Sequence, residues 1–352
     1  MDNKITKRRL SDFLAYEWIV MIIIAVVAMI VWELVYTMAG VRLSVGQQFK
    51  FYFDETVYGN SSAVVRLLDK DQALSYDILE LNAESLSSDF NVLSTRLSIQ
   101  EGDILITDCK DPTEEVEDKR IRLRTMVDSY HGYAFEEMLF DAKEYLLGFI
   151  KDTVSDPFNF SVLKEEDTCL TNLDEKEIEK SFRSRMKKDN RFRKESDKKI
   201  GIGLETQRIE RLYKEVVAFS KLLELENQYN NLFYRYTKYS QSRDAQEKES
   251  DKQAWADNMQ YEINRLTDKG IAGKVNTETN ETEFIYAINL GAMPTVEGKT
   301  NPSDLCTMRD SESAENVCIM VFDFSSYQPH LQFETISFIN TIVRNCSTLL
   351  DA

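Results

Sequence analysis

The sequence predicts an α/β protein in which one N-terminal transmembrane helix precedes a two-lobed domain with a helix-rich insert. Three observations predict it. Residues Trp18 to Val41 form an apolar run broken only by Glu33. Strand and helix patterns then alternate over about sixty residues, as crossover units of a parallel sheet do. The chain is 352 residues long, enough for two globular units or one large two-lobed unit at about 150 residues per domain.

The apolar run, WIVMIIIAVVAMIVWELVYTMAGV, would extend about 36 Å as a helix and so cross a hydrocarbon core. Trp18 stands at one end and Trp32 and Tyr36 near the other, where interfacial aromatics sit. Lys4, Lys7, Arg8 and Arg9 precede the run, whereas Arg42 and Lys50 are the only nearby cations after it. The positive-inside rule therefore makes residues 1–17 a cytoplasmic tail, 18–41 a single span and 42–352 extracytoplasmic. Thr37 and Ala39 fit a cleavage site, but the long basic region before the apolar run favours an uncleaved signal anchor.

Composition narrows the functions. Acidic residues outnumber basic ones by 60 to 43, a net charge of −17, which excludes a generally basic nucleic-acid binder. Only His131 and His330 are present, and the five cysteines contain no C-x-x-C pair. That leaves little material for a zinc site or a histidine-based triad, so no metal, cofactor or catalytic residue is assigned. Cys306 and Cys318 bracket a polar loop that a disulfide would staple, while isolated buried thiols are the simpler reading of Cys109, Cys169 and Cys346.

Gln47–Asp54 alternates Phe49, Phe51 and Phe53 with other residues and reads as the first strand. A helix is expected over Ser61–Gln72, a strand over Ser75–Leu81, a helix over Ser88–Ile99 and a buried strand over Ile104–Thr107. Ligands in open sheets of this kind lie outside the carboxyl ends of the strands. Asp54, Tyr58 and Asp108 fall there.

After Pro112 a charged connector leads to an amphipathic helix over Tyr133–Asp152. Asp174–Lys194 resumes a helical pattern, with Asp174 and Glu177 as a capping-box variant. Lys180–Lys199 holds ten basic residues against three acidic. It reads first as a solvated helix face with internal charge pairs, and second as a contact for lipid headgroups or wall polyanions. Gly201-Ile202-Gly203 lacks the third glycine of a dinucleotide fingerprint and is read as a crossover between lobes. Spacing then predicts one long helix or a helix pair through Ile209–Leu223 and Tyr229–Tyr236, then another helix through Trp255–Leu266, with an exposed turn or frayed join over Ser240–Gln253 between them. Strands follow over Phe284–Leu290 and Val317–Phe324, and a helix over Gln332–Leu350. Asn289, Asp323 and Tyr327 lie at or just after those strand ends and complete the ligand-binding set. Lobe one takes about 42–130 and 280–352, and the helical lobe about 131–279.

The basic tail with its single span, the strand QQFKFYFD, the segment LSIQEGDILITD and the terminal pair VCIMVFDF and QFETISFINTIVRN resemble the membrane-anchored extracellular solute-binding proteins of low-GC Gram-positive bacteria. Gly102 and Asp103 match that family's Gly-Asp, and Asp108 its cleft-facing strand end. The resemblance implies a periplasmic-binding-protein-like fold that holds ligand between lobes and closes by hinge motion. The chain departs from the family in its charged helical insert and in lacking a lipobox.

The expected function is capture of a small solute or peptide in an interlobe cleft, without catalysis, beside a membrane-protein partner. The alternative is a cell-surface scaffold or interaction subunit built on a degenerate binding fold.

Overall fold

The computed structural model describes residues 18–39, 47–86, 102–110, 122–129, 132–151, 172–244, 246–323 and 329–351, with Ser11, Leu93, Thr95 and Arg96 besides. Residues 1–44 and 45–352 are separate compact units. Helix α1 (Trp18–Ala39) is the one helix among the described residues long and apolar enough to cross a membrane. Its side chains from Trp18 to Val35 are all exposed. A helix apolar on every side has no stable place in water, so α1 is consistent with a membrane anchor.

The second unit is built on one mixed sheet. Its strands are β1 (Gln48–Phe53), β3 (Glu80–Ser85), β4 (Ile104–Asp108), β5 (Phe233–Tyr236), β6 (Lys274–Val275), β7 (Thr282–Asn289) and β9 (Val317–Val321). They lie in the order β3-β1-β4-β9-β7-β5, with β6 added to the end of β7. β2 (Val57–Gly59) and β8 (Cys306–Met308) form a separate antiparallel pair. β1 runs parallel to β3 and β4, as alternating strands and helices require. β9 is antiparallel to both β4 and β7, so the sheet is mixed where the sequence suggested a parallel one.

Both faces are buried, which is why the central strands are apolar almost throughout. Phe49, Phe51, Phe53, Ile104, Ile106, Ile319 and Val321 point to one face. There they meet α2 (Ser61–Lys70), α4 (Phe135–Leu147), α6 (Glu195–Glu224) and α10 (Pro329–Cys346). Tyr52, Leu105, Cys318 and Met320 point to the other, against α3 (Arg122–Ser129) and the last turn of α8 (Glu249–Asp268). Phe338 of α10 packs on Phe51 and Phe49, its ring centroid 5.3 Å and 5.8 Å from theirs.

The described residues of 45–352 show no division into two lobes. Residues 45–352 form one compact unit, and segments assigned to different lobes share its sheet and core. β5 and α6, both in the predicted helical lobe, are an edge strand and a packed helix of the same layers. Tyr229–Tyr236 was expected to be helical because its aromatics recur at helical spacing. Over so short a run, Phe233 to Tyr236 also fits a strand, and pairing with β7 decides the outcome. The strand expected over Ser75–Leu81 begins only at Glu80, and the exposed join after Ser240 contains a short helix, α7 (Ser240–Asp244). The helix expected over Ser88–Ile99 lies outside the described residues apart from Leu93, Thr95 and Arg96.

Local signals account for the helix ends. Asn60 caps α2, its side chain accepting from the Ala63 N–H at 3.1 Å. Asp174 caps α5 (Glu175–Arg185) by accepting from the Lys176 and Glu177 N–H groups, as the spacing predicts. Gly201 and Gly203 make no crossover, because both lie inside α6. Gly201 is where α6 meets the buried Phe182: a Cβ there would stand 2.2 Å from that ring. Gly201→Ala should therefore cost about 1–3 kcal/mol through overpacking, whereas Gly203→Ala, whose Cβ meets nothing within 4 Å, should gain about 0.5–1 kcal/mol. Urea titration of both variants measures the contrast.

Candidate functional site

The chain leaves β1 for β3 on one side and returns to β4 on the other. The carboxyl ends of β1 and β4 therefore flank a topological switch point, the place where open α/β sheets hold ligands. Asp54 and Asp108 follow from that geometry. Asp54 is 1% exposed and accepts from Thr107 Oγ1 at 2.9 Å, Arg122 Nε at 2.8 Å, Arg122 Nη2 at 3.1 Å and the Glu55 N–H at 2.9 Å. The same guanidinium reaches Glu55 Oε1 at 3.0 Å. Burial pushes the Asp108 carboxyl above its ordinary value, with the nearby Asp54 charge adding and the Thr56 hydroxyl and Arg122 opposing.

Arg122 at the start of α3 is the residue that organises this edge, and sequence reasoning passed over it as part of a charged connector. Nothing local marks it, because its partner Asp54 lies 68 positions away. Arg122→Ala would leave a buried carboxylate short of its cation. We expect a loss of about 2–3 kcal/mol, the range for a hydrogen bond to a buried charge, read by urea titration.

The other predicted ligand residues separate. Tyr58 projects from β2 into solvent with the Arg309 guanidinium 5.0 Å over its ring. Asn289 reaches the same sheet edge as Asp108, through Cys318 of β9, but its side chain is used in accepting from the Gly291 N–H at 2.9 Å. Asp323 follows β9, whose antiparallel direction carries it to the opposite edge, beside the amino end of β4. Asp54 and Asp323 therefore do not share a cleft. Tyr327 lies outside the described residues.

Gly102 and Asp103 also lie at that opposite edge. Gly102 has φ 128°, open to glycine and strained for other residues. The turn sets Asp103 against β1, where its Oδ2 accepts from the Lys50 N–H at 2.7 Å and its own N–H donates to the Lys50 carbonyl at 2.8 Å. Burial pushes Asp103 up to about 7, with the Lys50 N–H and ammonium opposing. A carboxyl whose folded pKa is raised binds its proton more tightly in the native state, so its contribution to stability falls as pH rises from about 4 to about 7. Glu136, pushed up to about 6 mainly by burial, acts in the same direction. The melting temperature should therefore drop between pH 4.5 and pH 7.5, and Asp103→Asn should flatten the drop. A scan of melting temperature against pH for both proteins checks this.

A second concentration of charge lies beneath a groove of about 710 Å³ between the turn after α2 and helix α6, lined by Ser75, Tyr76, Leu204, Arg208 and Arg211 among others. Glu205 accepts from Arg185 Nη1 at 2.5 Å, from the Tyr76 hydroxyl at 2.8 Å and from Arg208 Nη1 at 3.4 Å. Arg185 also pairs with Asp77. Glu334 of α10 accepts from Arg211 Nη2 at 2.8 Å and from the Ser75 N–H at 3.1 Å. Three guanidinium groups thus face three carboxylates, joining α5, α6, α10 and the turn before β3. The neutral balance and the many mutual contacts make this a structural clamp. Of these six residues only Arg185 falls in the basic run Lys180–Lys199, and its contacts are internal.

Among the described residues no group of three or more His, Cys, Asp or Glu side chains could hold a metal ion. Cys109, Cys306, Cys318 and Cys346 are free and buried, so Cys306 and Cys318 form no staple, and Cys169 lies outside the described residues. Burial pushes the Cys306 and Cys346 thiols up to about 12, which makes them inert packing groups. Comparisons with protein-family models, curated proteins and solved structures find no match to this chain.

Proposed function

We propose that the chain is a membrane-anchored, extracytoplasmic interaction subunit, a non-catalytic α/β domain that docks another component of a membrane complex. The observation that carries this reading is the state of the sheet edge where a ligand would be expected. Asp54 there is occupied by the chain's own Arg122 and Thr107 side chains and by the Glu55 N–H group, which leaves a small solute few free partners on it. α1 supplies the anchor, and tethering at a membrane raises the effective concentration of any partner held there.

Capture of a small solute or peptide is the second reading. The meeting of Asp54 and Asp108 at a switch point favours it. The two readings part in measurements on the full chain, purified in mild detergent for the first two and left in its membrane for the third. Native mass spectrometry is combined with a thermal-shift panel of peptides, sugars, nucleosides and anions, and with crosslinking in native membranes. The interaction reading expects a bare chain, melting unmoved by the panel and a discrete crosslinked membrane-protein adduct. A co-purifying small mass, or a ligand that raises the melting temperature by several degrees, would transfer the assignment to solute capture, since a ligand bound only to the native state must stabilise it.

A further inference from the structure

We propose that the basic segment from Met186 to Ile200 is a headgroup-binding face, which holds the domain against anionic phospholipid of the membrane that anchors α1. The inference uses the anchor alone and stands whether the domain docks a protein or captures a solute.

The first observation is where the segment sits. Gln47 is the first described residue after α1, and its Nε2 donates to Asp189 Oδ2 at 3.0 Å. Ala39 ends α1, and the eight residues from there to Gln47 span at most about 29 Å when fully extended. The basic segment is therefore hydrogen-bonded to the first described residue of the domain, which follows the end of α1 by eight positions in the chain.

The second observation is its charge. In a chain of net charge −17, residues 180–199 hold ten basic residues and three acidic. Several of these cations are used internally. Lys180 pairs with Glu177, Arg183 with Glu179, Arg191 with Asp189 and Lys198 with Glu195, while Arg185 belongs to the buried clamp. This confirms the charge-paired helix face for part of the run. Lys187, Arg193, Lys194 and Lys199 are exposed and make no ion pair among the described residues. An acidic domain is repelled by an anionic leaflet, so the face with unpaired cations is the one the leaflet attracts.

The third observation is shape. Lys187 and Arg193 line a cavity of about 310 Å³ together with Phe182, Met186, Phe192 and Asp189, whose carboxylate is paired with Arg191. On the same segment Ile200, in the second turn of α6, is 65% exposed. Cations and apolar side chains around one cavity, with a protruding aliphatic side chain on the same segment, match a headgroup phosphate with the acyl boundary behind it.

The test is acetylation footprinting of the full chain in nanodiscs, with the rate at each lysine read by mass spectrometry. Discs of phosphatidylcholine alone are compared with discs in which about one lipid in three is phosphatidylglycerol. Lys187, Lys194 and Lys199 should react about tenfold more slowly in the anionic discs, with Lys274, near the β5 end of the sheet, unchanged. The slowing should vanish in about 0.5 M sodium chloride. A variant carrying Lys187→Glu, Arg193→Glu and Lys194→Glu should show the same Lys199 rate in both discs. Equal rates in the two discs for the unaltered chain would overturn the proposal. So would equal slowing by inorganic phosphate in phosphatidylcholine discs, which would make this a site for a free anion. A chain that does not co-elute with discs would overturn the anchor and this proposal together.

Discussion

Glu205→Ala should lower the unfolding free energy of the domain by about 3–5 kcal/mol, the cost of removing one partner from a buried ion pair. Glu205 is fully buried and faces Arg185, Arg208 and the Tyr76 hydroxyl at once. Without it, Arg208 keeps the Tyr145 hydroxyl at 3.3 Å and a distant carboxylate, Glu334 Oε1 at 3.9 Å, and Arg185 keeps Asp77. Both guanidinium groups are nearly excluded from water, so solvent cannot replace the lost carboxylate. Glu205→Gln retains an acceptor for Tyr76 and should recover part of the loss. Since the charges are buried, added salt should narrow the difference little. Urea titration of the three proteins in detergent, followed by circular dichroism, supplies the numbers.

Phe338→Ala should cost a comparable amount, about 3–5 kcal/mol, by a different route. Phe338 is fully buried in α10 and its ring meets Phe49 and Phe51 on the central strand β1. Removing it opens a cavity between the C-terminal helix and the first strand of the domain. The surrounding layers are β1, β4 and α4, themselves packed by other elements, so collapse into the space is restricted. Phe338→Leu should recover more than half of the loss. A Phe338→Ala cost below about 1 kcal/mol would mean that α10 is not docked on β1 as described.

How far the fold could be read in advance depended on whether a signal was local. The strands QQFKFYFD, ILIT and VCIMVFDF are apolar because both faces of the sheet are covered, and each falls within two or three residues of its observed limits. α10 was equally plain, its apolar stripe facing one layer. Strand direction left no mark. β9 looks the same in sequence whether parallel or antiparallel, and that single ambiguity placed Asp323 in a cleft with Asp54 when it belongs at the other edge. The sheet edge itself was half legible. Asp54 and Asp108 follow from strand ends, but Arg122, which satisfies one and moderates the other, is defined by a contact across 68 positions. The same holds for the clamp, whose carboxylates Asp77, Glu205 and Glu334 come from three distant segments.

The central claim is that α1 spans a membrane and presents residues 45–352 on its extracytoplasmic side. It is tested most directly by protease digestion of sealed vesicles of both orientations, with the surviving peptides identified by mass spectrometry. The account predicts that in right-side-out vesicles peptides from the domain are lost, while inverted vesicles protect them and lose only the residues before Trp18. Protection of the domain in right-side-out vesicles, with digestion in inverted ones, would contradict it.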